Sequence, residues 1–113
     1  MLAEFRDGEY RWKSSEKDRD YFGSFQIKRL PKNNHVDRPV AELWSFGIYG
    51  QHRGKGYGQE MLREAIELAG NKPMVLYVEK GNERALHIYK KAGFEIIGEH
   101  NGYAWVMLKS ATK

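Results

Sequence analysis

Gly50-Gln51-His52-Arg53-Gly54-Lys55-Gly56-Tyr57-Gly58 is the stretch whose reading decides the fold. Immediately after it, Met61, Leu62, Ala65, Ile66 and Ala69 recur at three-to-four-residue spacing, and Gly70-Asn71 supplies a stop. That pattern predicts an amphipathic helix. Before it, Val40–Tyr49 is rich in apolar residues (Leu43, Trp44, Phe46, Ile48) and is expected to be a central strand. A strand, a glycine turn and a helix N-terminus together make an anion site. Backbone N–H groups converge there, and the helix dipole adds about half a positive charge. Glycine matters because any Cβ would hold a phosphate away from the amides. The plain alternative is a tight strand-to-helix turn with no ligand, but the alternating Gly54, Gly56 and Gly58 are more than such a turn requires.

Two phosphate-binding patterns are tested and fail. A Walker loop needs four residues between its glycines, then Lys and Ser or Thr; Gly54 is one position short of that spacing from Gly50, and Gly56 follows Lys55. A dinucleotide fingerprint begins well at Gly54-Lys55-Gly56, but Gln59 stands where its third glycine belongs. Glu79 lies near the distance of a ribose-binding acid, yet several strands precede the turn, whereas a Rossmann unit opens with it.

Outward from the turn, Pro73 opens a buried-looking strand, Met74–Val78. Asn82 is placed to cap a second helix with Ala85, Leu86, Tyr89 and Ala92 on one face, and Gly93 ends it. Phe94–Glu99 and Tyr103–Lys109 are expected to pair around His100-Asn101-Gly102. Toward the N-terminus, Tyr10–Ser14 and Tyr21–Leu30 form a predicted hairpin linked by the charged Ser15–Asp20, and residues 31–39 form a loop between Pro31 and Pro39. Gly47 suggests a bulge or a close backbone approach inside the central strand. The expected fold is therefore α/β, in one domain over residues 1–113, with an N-terminal hairpin region (1–39) and a core over 40–109.

Composition narrows the function classes. At 113 residues, 41% hydrophobic and 13% aromatic, the chain has room for one modest core and lacks the signature of disorder. No run approaches the roughly 18–20 apolar residues of a membrane span, and the N-terminus lacks a signal-peptide segment, so a cytoplasmic home is expected. Cysteine is absent, which excludes thiolate nucleophiles and Cys-type zinc sites. The four histidines (His35, His52, His87, His100) show no metal spacing, so no metal is expected. The net charge of +4 suits polyanionic partners, nucleic acid and a phosphate-bearing cofactor alike, but the charges are interspersed, as on a solvated mixed surface, so nucleic acid is not the expected partner.

The pattern that remains resembles the acyl-CoA loop of the GNAT N-acetyltransferase superfamily. In that loop, Gln or Arg is followed by two free positions, Gly, one free position, and Gly or Ala; Gln51-His52-Arg53-Gly54-Lys55-Gly56 fits at each defined position. Downstream, Asn82, Ala85, Tyr89, Gly93 and Phe94 resemble the family's later helix-and-turn motif, at the family's spacing. The resemblance covers about Val40 to Leu108. It implies a mixed, mostly antiparallel sheet with the loop between central strand and main helix, and acetyl transfer from acetyl-CoA to a primary amine in a ternary complex. By similarity the pyrophosphate sits on amides across Arg53–Gly58 (Arg53, Gly54, Lys55, Gly56, Tyr57, Gly58). The pantetheine arm runs along Phe46, Gly47 and Ile48, where two strands splay, and Gly47 is the residue expected to provide the break. Asn82 holds the arm as well as capping its helix. A backbone N–H around Ile48 faces the oxyanion, and Tyr89 protonates the departing thiolate, although Tyr89 also reads as an apolar-face residue. Glu42, in Ala41-Glu42-Leu43, is the first choice for the base and Glu79 the second; each also reads as a surface glutamate.

Family members usually begin with a strand and two helices that wall the acceptor side. Leu2–Phe5 supplies the strand here, and no helix pattern follows it. The acceptor side is therefore expected to be open or completed by a second subunit, and a homodimer is expected. Trp12, Trp44, Trp105, Tyr103 and Phe25 offer more aromatic material than so small a core needs. A CoA-binding or protein-interaction module without turnover is the alternative on the same fold.

Overall fold

In a computed structural model whose described residues are 2–111, Asp7-Gly8 joins β1 (Glu4–Arg6) to β2 (Glu9–Trp12). Both turn residues take positive φ, 52° and 83°, as a two-residue hairpin of this kind demands. β3 (Gly23–Leu30), β4 (Val40–Ile48), α1 (Tyr57–Ala69), β5 (Met74–Glu79), α2 (Glu83–Lys91), β6 (Glu95–His100) and β7 (Ala104–Lys109) follow. The seven strands lie in the order β1-β2-β3-β4-β5-β7-β6. Every neighbouring pair is antiparallel except β4 with β5, which α1 links in parallel. The mixed, mostly antiparallel sheet expected from the sequence is the one that forms. The expected strand at Tyr10–Ser14 starts and ends earlier, and it pairs with β1 as well as with β3.

Both helices pack on one face of the sheet. α1 buries Met61, Leu62, Ala65 and Ala69, and α2 buries Leu86 and Tyr89, in one cluster with Trp12, Phe25, Leu43 and Leu76. Full burial of one Leu or Met side chain stabilises by about 1.5–3 kcal/mol. Trp12 and Phe25 are therefore core residues, at 1% and 0% exposure, and drop out of the aromatic surplus assigned to a dimer interface. On the second face, Val36 of loop 31–39 covers Val40, Val75 and Val106.

Two irregularities position the site. First, β4 and β5 pair only at Ala41–Met74, Glu42–Val75 and Leu43–Leu76. Beyond that point β4 stays with β3 and β5 stays with β7, so a gap opens between them. Second, the β3–β4 register slips between Ser24 and Gln26, leaving an extra residue on β4 between Trp44 and Gly47. Ser45 takes φ 52° there. The break lies at Ser45 and not at the expected Gly47, which keeps negative φ. The glycine that this geometry requires is Gly23: a Cβ on it would lie 2.6 Å from the Gly47 carbonyl oxygen. The bulge also reverses the alternation. Ala41 and Leu43 face the helices before it, and Phe46 and Ile48 face them after it.

Candidate functional site

The glycine turn leaves β4 through a short 3-10 turn (Gly50–His52) and enters α1 at Gly56, its N-cap. Gly54 and Gly56 take left-handed φ of 78° and 83°. A Cβ on either would meet no protein atom within 4 Å, so the open space lies in front of the backbone. Gly56 brings no side chain to cap the helix, so the first-turn N–H groups of α1 receive no side-chain cap. A glycine turn feeding an uncapped helix N-terminus is the backbone geometry that an anion site requires. Beneath the turn, Tyr57 packs on Trp12 and Phe22 at 6.1 and 4.9 Å between ring centroids, and His52 stacks on Phe22 at 3.8 Å.

From this turn a cleft of about 860 Å³ runs beside the end of β4 to the first turns of α2. Of the residues expected at a cofactor site, Phe46, Gly47, Ile48, Arg53, Gly54, Gly56, Gly58, Asn82 and Tyr89 line it. Lys55 and Tyr57 are not on its wall: Lys55 is exposed, and the Tyr57 ring faces the core. The sequence reading missed His52, Arg84 and His87, which add basic character to the rim. The signal for the last two was helical spacing, since His87 and Ile88 share a face with Arg84. Arg53 Nε donates to the Ile48 carbonyl at 2.9 Å, at the end of the β4 edge that β5 has left. Asn82 caps α2 as predicted, its Oδ1 accepting from Ala85 N–H at 3.1 Å.

Tyr89 stands at the deep wall of the cleft, against Phe46 and Phe94 at 6.1 and 5.8 Å. Burial pushes its hydroxyl up to about 12. Neither predicted carboxylate lines the cleft. Glu79 ends β5 and is exposed. Glu42 lies on the second face with only 5% exposure, so it is not the surface glutamate that its sequence also allowed. Its Oε1 accepts from Trp44 Nε1 at 2.9 Å; its Oε2 accepts from Asn33 Nδ2 at 2.9 Å and from the Tyr77 hydroxyl at 3.2 Å. Burial and the Glu42 charge push Tyr77 up to about 12. His35 and His100, far apart in sequence, meet beside Tyr77 at 3.4 Å. Among the described residues, no group of three or more His, Asp or Glu is placed to hold a metal, and no helix is long and apolar enough to cross a membrane.

This combination of uncapped glycine turn, parted strands and basic cleft agrees with what the comparisons return. The acetyltransferase (GNAT) family model matches residues 3–94. A mycothiol acetyltransferase of Propionibacterium freudenreichii is 39% identical over 71 residues, covering 59% of this chain and 22% of that protein. The N-alpha-acetyltransferase RimI of Mycobacterium tuberculosis is 31% identical over 83 residues, covering 74% of this chain and 49% of that protein. The chain thus spans between a fifth and a half of the length of these relatives. Among solved structures, the PaiA N-acetyltransferase of Thermoplasma acidophilum, in complex with coenzyme A, superposes with a TM-score of 0.71 at 23% identity, over 90% of this chain and 59% of that one. The chain belongs to the GNAT family of acetyltransferases.

Proposed function

We propose that this protein is an N-acetyltransferase that moves an acetyl group from acetyl-CoA to a primary amine by direct attack in a ternary complex. One observation carries the reading: the gap between β4 and β5 opens into the same cleft that the uncapped N-terminus of α1 closes at its far end. A molecule with a phosphate end and a long amide-bearing arm fits that shape. Its phosphates would sit on the amides from Arg53 to Gly58. Its arm would run along Phe46–Ile48 as an added strand, since that edge has lost its partner. An arm amide donating to the Ile48 carbonyl would release Arg53 toward the phosphates. A backbone N–H around Ile48 would face the developing oxyanion.

Tyr89 is the group proposed to protonate the departing thiolate. Its hydroxyl has no hydrogen-bond partner among the described residues, and at about 12 it stays protonated over the whole range in which an amine becomes neutral. Glu42 is the carboxylate proposed to end with the amine's proton, with Glu79 in reserve. That one relative is named an N-alpha-acetyltransferase supports an amine acceptor. The same reading includes a homodimer through the outer strand β6, where Ile96 and Ile97 are 37% and 43% exposed, and sedimentation at micromolar concentration tests it.

A second reading, a CoA-binding module without turnover, is favoured by one fact: Glu42 is already engaged in three hydrogen bonds. Calorimetry with acetyl-CoA, followed by free-thiol release across a panel of small amines and peptides, separates the two. Binding with amine-dependent thiol release is the expected result. Binding without release from any amine would leave the module.

A further inference from the structure

The difficulty with Glu42 as a base is access. At 5% exposure, with both oxygens occupied, its carboxylate cannot touch an incoming amine. Its three donors differ in what they can pass on. An amide N–H and an indole N–H give a hydrogen bond but offer no lone pair to take a proton; a phenol oxygen does both at once. Tyr77 is that phenol. It is also the first residue of β5 beyond the last pair with β4, so it stands where the gap opens. Trp44 faces it across the opening at 5.1 Å between ring centroids, and His100 and His35 flank it at 4.6 and 5.9 Å. Tyr77 is half-buried, whereas Glu42 is closed off beneath it.

We propose that Tyr77 is the catalytic residue that meets the acceptor amine, and that it relays the amine's proton to Glu42. The inference rests on the proposed acetyl transfer. As the nitrogen lone pair bonds to the acyl carbon, one N–H bond breaks; its electron pair stays on nitrogen and its proton bonds to Tyr77 Oη. The Tyr77 O–H bond breaks in the same step, and that proton bonds to Glu42 Oε2. Tyr77 begins and ends as a neutral phenol, and Glu42 ends as a neutral carboxyl that returns its proton to solvent by the reverse path. Because burial and the Glu42 charge hold Tyr77 near 12, no free phenolate stands between the two transfers. Asn33 is a positioning residue: its Oδ1 accepts from His35 and Val36 N–H at 2.9 and 2.7 Å, which aims its Nδ2 at Glu42.

The test compares wild type, Tyr77→Phe, Glu42→Gln and the double variant. Free-thiol release is followed against pH with an amine that the wild type uses, beside acetyl-CoA calorimetry and ultraviolet titration of the tyrosines. Each single variant should lose roughly 10²–10³ in turnover at neutral pH, and the double variant no more than the worse single one. The losses should persist above the amine's own pKa, because the relayed proton is one that the neutral amine still carries, with acetyl-CoA affinity unchanged. Glu42→Gln should also bring one late-titrating tyrosine to lower pH. Wild-type turnover in Tyr77→Phe, losses that vanish once the amine is neutral, or losses that multiply in the double variant would overturn the relay. A wild type that releases thiol with no amine would overturn acetyl transfer itself, and the relay with it.

Discussion

Replacing Glu64 tests how the glycine turn is supported from below. This half-buried residue of α1 accepts from the Leu2 and Ala3 N–H groups with Oε1, at 2.6 and 3.1 Å, and from the Trp12 indole N–H with Oε2. Trp12 is 1% exposed, so in Glu64→Ala its N–H loses its acceptor where water does not reach. An unsatisfied buried donor costs about 1–3 kcal/mol, and each of the two backbone bonds about 0.5–1.5 kcal/mol, since those N–H groups can turn to water. The sum, about 2–6 kcal/mol, is a large share of the roughly 5–15 kcal/mol that holds a domain together. At about 4–8 °C per kcal/mol for a chain near this size, the melting temperature should fall by about 10 °C or more. Glu64→Gln keeps one acceptor oxygen and should lose less than half as much. Scanning fluorimetry reads the shift. Because Trp12 touches Tyr57 and Phe22, and Phe22 stacks on His52, acetyl-CoA affinity should also fall at temperatures where Glu64→Ala is still folded. A Glu64→Ala protein melting within about 3 °C of wild type, below the smallest loss estimated above, would refute the reasoning.

Gly56→Val should abolish acetyl-CoA binding by calorimetry while circular dichroism still reports a folded chain. The protein leaves space for the side chain, and the left-handed φ costs only about 1–2 kcal/mol or somewhat more for a branched residue. Tyr89→Phe should lower turnover by roughly 10²–10⁴ with little change in cofactor affinity or stability, because the lost hydroxyl leaves no protein group unpaired. For the same hydroxyl, the donating form is the protonated one, lost only above about 12. The wild-type pH–rate profile should therefore rise with amine deprotonation and show no decline from Tyr89 below that point. Ser45→Gly should match or slightly exceed wild-type stability in denaturant titrations, and Ser45→Val should lose about 1–2 kcal/mol, because φ at this position is 52°.

The parts legible in the sequence were those with local signals. The turn from Gly54 to Gly58, the stripe Met61-Leu62-Ala65 and the cap Asn82 each specify their geometry within a few residues, so α1, α2 and the glycine turn followed from spacing. Asp7-Gly8 carried an equally local hairpin signal that went unread, and β1 paired with β2 because of it. The bulge was not legible at its true position. Ser45 has no preference for left-handed φ; it takes that conformation where the β3–β4 register slips, which depends on pairing across the sheet. The burial of Glu42 could have been read in part from strand alternation, which sets it on one face with Val40. Its closure by Asn33 depends on where loop 31–39 folds, and no periodicity records that. The meeting of His35 with His100 depends on β7 lying between β5 and β6, a consequence of sheet order alone.

The bulge explains why two tyrosines with similar titration can serve opposite ends of one reaction. In an unbulged strand of the same sequence, Phe46 would share a face with Trp44, and the edge lining the cleft would turn toward Glu42. With the bulge, Phe46 and Tyr89 lie on the helix side of the gap, and Trp44 and Tyr77 on the other. Both phenols are pushed to about 12, Tyr89 by burial alone and Tyr77 by burial and Glu42. What separates them is where each proton already points. The Tyr77 proton is committed to Glu42, so the oxygen presents lone pairs outward and is equipped to receive. The Tyr89 proton is committed to no group among the described residues, so it is available to give. In the proposed reaction the thioester lies between them, with the amine arriving from the second face and the thiolate leaving toward the helices.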